Sequence, residues 1–204
     1  MPKLYYVHDP MCSWCWAFSP VLHQVLNQLS EEIEVQYVVG GLAPDSQEPM
    51  DEATQMMIQH HWQTIIQRVP GTQFNFDFWS LNTPKRSTYP ACRAVLAAKA
   101  QNPEKEDTMI LAIQQAYYLH AQNPSNDDTL ILCAESIGLN TQQFKRDLGA
   151  QDTHERLLRE IAQARSMPIR GFPSLVLEQN GSLIPVSIDY RSAEPILNYI
   201  ATVT

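Results

Sequence analysis

The chain has 204 residues, of which 44% are hydrophobic and 18% charged, and its net charge is −8. That length holds one folded domain, or one domain with a large insertion. An acidic chain without basic clusters argues against nucleic acid and membrane surfaces as partners, and it says nothing positive about a substrate.

Leu4 to His8 is a short apolar and aromatic run suited to a buried strand. From Cys12 to Leu29, apolar residues recur at Phe18, Val21, Leu22, Val25 and Leu26, a helical spacing. Ile33 to Val39 returns to β-branched and aromatic residues, and Gly40-Gly41 ends that strand. Strand, helix and strand within so short a span make a βαβ unit.

The middle of the chain reads as helices with start and stop marks. Asp51 opens one that stops at Pro70-Gly71, and Thr88-Tyr89-Pro90 opens the next, which ends near Asn102. Asn102-Pro103 starts a long one through Leu119. Asn126 or Asp127 starts another, closed by Gly138, and Asn140 or Thr141 a short one, closed by Gly149. Asp152 opens the last, which runs to about Ser166. Met56, Met57, Ile65 and Ile66 form an apolar stripe whose default reading is core packing, with part of a substrate groove as the alternative.

Strand signals then return. Ser174 to Glu178 is followed by Asn180-Gly181, a two-residue hairpin signal, and by Leu183 to Ile188 as its partner. Ser192 is placed to cap a final helix through Ile196, Leu197 and Ile200. The two ends, 1–45 and 168–204, therefore build one α/β domain, and 46–167 is an inserted helical domain.

Cys12-Ser13-Trp14-Cys15 lies between the first strand and the first helix. A helix N-terminus offers free N–H groups and partial positive charge, and both favour a thiolate. Cys12 reads as the nucleophile, with Cys15 one turn deeper to resolve a mixed disulfide. Ser13 is placed to tune Cys12 by a hydrogen bond, and Trp14 to touch substrate. A zinc site needs two more ligands at metal spacing. Cys92 and Cys133 are single and remote, and His60 and His61 diverge on a helix, so no metal is expected. Cys92 and Cys133 read as buried residues, although Cys92 also lies in a first helical turn. A close thiol pair without a secretion signal points to the cytoplasm.

The strand–CxxC–helix order and the helical insertion resemble the thioredoxin superfamily, DsbA-like family. Asp-Pro-Met-Cys-Ser-Trp-Cys-Trp is similar to its FrnE-like, cytosolic protein-disulfide-isomerase-like branch. The resemblance implies a thioredoxin-like α/β fold with a large all-helical domain inserted after the N-terminal βαβ unit. It also implies that Pro173, in Arg170-Gly171-Phe172-Pro173-Ser174, is a cis proline beside the cysteines, with Phe172 and Pro173 contacting substrate. Relatives bury a carboxylate six residues before the first cysteine, and Tyr6 stands there instead.

The expected activity is thiol–disulfide exchange of reductase or isomerase type, on a disulfide-containing protein or small molecule. No bound cofactor is expected, and glutathione is the expected reducing co-substrate. Two alternatives share the architecture: a kappa-class-like glutathione transferase or isomerase, and a non-enzymatic redox-sensing module. The presence of both cysteines argues against the first.

Overall fold

A computed structural model describes all residues, 1–204. Strand β1 (Lys3–His8) leads into helix α1 (Ser13–Gln28), and β2 (Glu34–Val39) follows. Seven helices come next: α2 (Glu52–Arg68), α3 (Phe78–Leu81), α4 (Tyr89–Gln101), α5 (Lys105–Tyr118), α6 (Asp127–Ser136), α7 (Thr141–Leu148) and α8 (Gln151–Ser166). The chain ends with β3 (Ser174–Gln179), β4 (Ser182–Val186) and α9 (Glu194–Val203). The sheet order is β2-β1-β3-β4. β1 pairs parallel with β2 and antiparallel with β3, and β3 pairs antiparallel with β4. The result is a mixed α/β fold with an all-helical insertion between β2 and β3.

Strand alternation divides the core. Leu4 and Tyr6 point to one face, where Phe18, Val21 and Val25 of α1 and Ile196 and Ile200 of α9 cover them. Tyr5 and Val7 point to the other, packed with Val38, Val176, and Ala164 of α8. The insertion has its own core around the alanine-rich α4, with Met109, Ile113, Leu130, Phe144 and Leu157. Hydrogen bonds fasten it to the sheet. Val39 N–H donates to Glu160 of α8 at 2.8 Å, and Asp107 of α5 meets His23 of α1 at 3.1 Å and the Tyr37 hydroxyl at 3.2 Å.

Most boundaries agree with the sequence signals. Asp51 and Asn140 cap α2 and α7 by accepting backbone N–H bonds. Asn180 and Gly181 both adopt positive φ in the hairpin, at 52° and 77°. β4 is shorter than expected: its ladder with β3 ends at the Leu175–Val186 pair. α3 has four residues, too few to show a period. The stripe on α2 corrects an expectation: Met56, Met57 and Ile66 are 62%, 47% and 42% exposed. Of the stripe only Ile65 is buried, as expected, and the helix turns it inward with Trp62, which lies at the centre of an aromatic cluster with Phe74, Phe78 and Tyr118.

Candidate redox site

β1 delivers the chain through Asp9, Pro10 and Met11 to Cys12, which occupies the N-cap of α1 with extended φ and ψ of −82° and 117°. Cys12 N–H donates to Asp9 C=O at 3.0 Å, and Trp16 N–H donates to Cys12 C=O at 3.1 Å, closing the first turn. All four cysteines are free thiols. Cys12 is 7% exposed and Cys15 fully buried.

Their environments push the two thiols apart. Cys12 is held below the ordinary thiol value, first by a hydrogen bond from the Cys15 thiol and then by the backbone N–H groups of Cys15 and Trp14. Cys15 is raised well above it by burial and by its proximity to Cys12. Of the two, Cys12 is the more readily ionised thiol and Cys15 the more firmly protonated one. Ser13 is half-buried, and its hydroxyl makes no hydrogen bond. The donors at Cys12 come from backbone and Cys15.

The Phe172–Pro173 peptide bond is cis, and the Cys12 thiol donates to Phe172 C=O at 3.5 Å. Phe172 N–H has no partner within the chain. The Phe172 ring lies against Gly40, where a Cβ would come within 2.1 Å of two ring carbons. Gly40 therefore leaves room for the residue that faces Cys12. The sequence marked Gly40-Gly41 only as a strand end, because the close approach joins positions distant in the chain.

Trp14 is half-buried. Its ring meets Tyr190 edge-on at 5.3 Å, and Phe18 meets the same tyrosine at 5.9 Å. Trp16 turns the other way and stacks on Tyr118 at 5.8 Å. A cleft of about 270 Å³ opens beside Cys12 and Trp14, with Phe78 and Tyr117 of the insertion in its wall and Phe172 at its edge.

Three buried side chains beneath the site, Asp9, Tyr6 and His8, were given no role by sequence reasoning, which noted Tyr6 only as standing where relatives have a carboxylate. Asp9 is completely buried, and its carboxylate accepts from Met11 N–H at 2.8 Å, Leu42 N–H at 2.7 Å, the Thr88 hydroxyl at 2.6 Å and the Cys92 thiol at 3.5 Å. It ties the cysteine loop to the end of β2 and the start of α4. Burial raises its pKa, against the pull of these donors. Cys92 is itself buried, and its thiol is pushed well up by burial and then by the Asp9 charge, so it is not poised to react. Burial, followed by the charges of the two sulfurs, raises Tyr6 well above an ordinary phenol. It stays protonated and neutral. His8 stacks on Tyr6 at 5.0 Å with a 6° interplanar angle, and neither ring nitrogen has a partner. Burial lowers its pKa from 6.5 to about 3.

A family model described as thioredoxin matches residues 5–187. A candidate protein disulfide isomerase from Nitrosomonas europaea is 28% identical with a TM-score of 0.87, and the match covers 98% of this chain and 96% of that one. The cytosolic disulfide reductase DsbM from Pseudomonas aeruginosa superimposes with a TM-score of 0.80 at 22% identity, over 98% and 97% of the two chains. It has also been solved with GSH. Among curated proteins, the ClpXP adapter protein SpxH of Halalkalibacterium halodurans is 25% identical over 85% of this chain, and that of Bacillus subtilis 22% identical over 96%. The matched regions span 58% and 66% of those two proteins' lengths. No helix is long and apolar enough to cross a membrane.

Proposed function

The chain belongs to the thioredoxin family, and from that premise we propose that it is a thiol–disulfide oxidoreductase of reductase or isomerase type. The Cys12 thiolate attacks one sulfur of a substrate disulfide. A Cys12–substrate S–S bond forms, the substrate S–S bond breaks, and the first substrate thiolate leaves. Cys15 gives up its proton and attacks the Cys12 sulfur. The second substrate thiolate departs, and Cys12–Cys15 holds the two oxidising equivalents. Two glutathione molecules then return the pair to dithiols and leave as glutathione disulfide. In isomerisation the first substrate thiolate instead attacks another disulfide of the same protein, and the thiolate so released attacks the substrate sulfur bound to Cys12, freeing the Cys12 thiolate.

One observation carries this reading: a Cys12 thiol of lowered pKa at a helix N-terminus, hydrogen-bonded to the carbonyl before a cis proline. Phe172, with its free N–H, is the position at which an extended substrate pairs, and Trp14 borders it. Reduction in the cytoplasm suits a pair kept as dithiols. The buried Cys15 touching Cys12 disfavours a transferase that activates glutathione alone. The likeness to ClpXP adapters supports a second reading, a non-enzymatic binding module built on the same surface.

Insulin reduction with glutathione separates these. Cys12→Ser abolishes turnover, and Cys15→Ser lowers it at least about tenfold while the mixed disulfide accumulates. Turnover unaffected by either substitution sinks the redox reading, and glutathione conjugation surviving Cys15→Ser favours the transferase.

A further inference from the structure

The chain carries 14 Lys and Arg against 22 Asp and Glu, yet around the cysteines the balance reverses. Three clefts share Phe172. The one beside Cys12 is lined by Lys85 and Arg86, the second by Arg68 and Arg191, and the third by Arg165 and Arg170. Six of the 14 cations therefore line clefts that share one side chain. The only carboxylate lining these clefts is that of Asp189, which already accepts the backbone N–H groups of Arg191 and Ser192 at 2.7 and 3.0 Å. None of the six cations is in an ion pair. The paired ones, Lys3, Arg93, Lys99, Arg156 and Arg159, lie elsewhere.

Arg86 is the sharpest case. It is half-buried and lines an apolar cleft with Phe78 and Tyr117, without a hydrogen bond or an ion pair. A guanidinium partly removed from water gains most from a bound carboxylate, which it grips with two parallel N–H donors. Lys85 beside it touches only the neutral Gln47, at 3.0 Å.

We infer that the site selects disulfides carried on anionic substrates: Arg86 and Lys85 bind a carboxylate near the disulfide, and the four rim arginines attract the rest of the acidic molecule. This rests on the redox function proposed above. The chain's net charge points the other way, so a protein of −8 gathers unpaired positive charge where its thiolate reacts. Like-charged substrates would otherwise be repelled, and a local field of opposite sign raises their encounter rate.

Three small disulfides of similar size test it: anionic 3,3′-dithiodipropionate, neutral bis(2-hydroxyethyl) disulfide and cationic cystamine. Each kcat/KM is divided by that disulfide's own rate with dithiothreitol, which removes intrinsic reactivity. The anionic substrate is expected to exceed the cationic one by at least about tenfold at about 20 mM salt, with the ratio shrinking at about 500 mM. Arg86→Gln brings the ratio toward one mainly through KM, whereas Lys145→Gln on the distant α7 leaves it in place. A second arm compares peptide disulfides with acidic and basic flanks in Arg68→Glu/Arg191→Glu protein. Loss of the acidic-peptide preference alone assigns the site to acidic polypeptides, and loss of neither preference assigns it to small acids. A wild-type ratio near one at both salt concentrations overturns the inference and leaves the redox function standing. No turnover of any of the three disulfides overturns both.

Discussion

His8 gives a prediction whose size follows from its surroundings. The ring is completely buried between Tyr6 and Tyr37, and both nitrogens lack partners. Protonation would place an unpaired cation in that space, so burial lowers the pKa from 6.5 to about 3. The nearest opposing influence is Asp107, which favours the charged form, while Lys99 disfavours it. In the unfolded chain the imidazole titrates normally. Between pH 6.5 and 3 the unfolded state therefore binds a proton that the folded state refuses, and stability falls as pH falls through that window. At about pH 5 the unfolded state lies about 1.5 units below its midpoint, which amounts to about 2 kcal/mol of lost stability. Urea unfolding of wild type and His8→Phe at about pH 7.5 and pH 5 isolates this contribution. Asp9, Glu106 and Glu160, all raised by burial, act in the opposite sense in both proteins and cancel in the comparison. His8→Phe should lose about 2 kcal/mol less than wild type over that interval. Equal losses in the two proteins would refute the account.

Two further substitutions probe the support of the cysteine pair. Gly40→Ala puts a methyl 2.1 Å from the Phe172 ring. It should destabilise the fold by about 1–3 kcal/mol and lower disulfide turnover by displacing the carbonyl opposite Cys12. Wild-type stability and turnover would mean that the ring swings aside freely. Asp9→Asn removes a charge that opposes both thiolates, so the pH midpoint of Cys12 alkylation should shift down. It also turns an acceptor into a donor facing Leu42, Thr88 and Cys92, so the melting temperature should fall. An alkylation midpoint that stays or rises contradicts the electrostatic role.

Local signals in the sequence marked what short stretches of chain decide. The period of Phe18, Val21, Leu22 and Val25 placed α1, the Asn180-Gly181 pair placed the hairpin, and the strand–CxxC–helix order placed the two cysteines at the N-terminus of α1. What it left open depends on residues brought together by the fold. Gly40 touches Phe172 across more than half the chain, and the partners of Asp9 come from three separate segments. The cationic collar comes from Arg68, Lys85-Arg86, Arg165, Arg170 and Arg191, no stretch of which reads as a basic cluster. The stripe on α2 misled because Met and Ile are equally at home in a core and on the rim of a cleft, and period alone does not say which face turns inward.

Tyr6 shows how the site differs from the relatives whose pattern it resembles. A carboxylate at that position would stand under Cys15 as a like charge and oppose thiolates at both sulfurs. The Tyr6 phenol, held protonated and neutral by burial, opposes neither. The like charge comes instead from Asp9, whose oxygens are engaged by four donors. A carboxylate so engaged is a poor acceptor for the Cys15 proton, and it holds the loop in place instead. Charge opposing the thiolates and anchorage of the loop are thus joined in one residue, while the place beneath Cys15 is left neutral. The lowered Cys12 thiol then depends on donors fixed by the helix itself, the N–H groups of Trp14 and Cys15 and the Cys15 thiol.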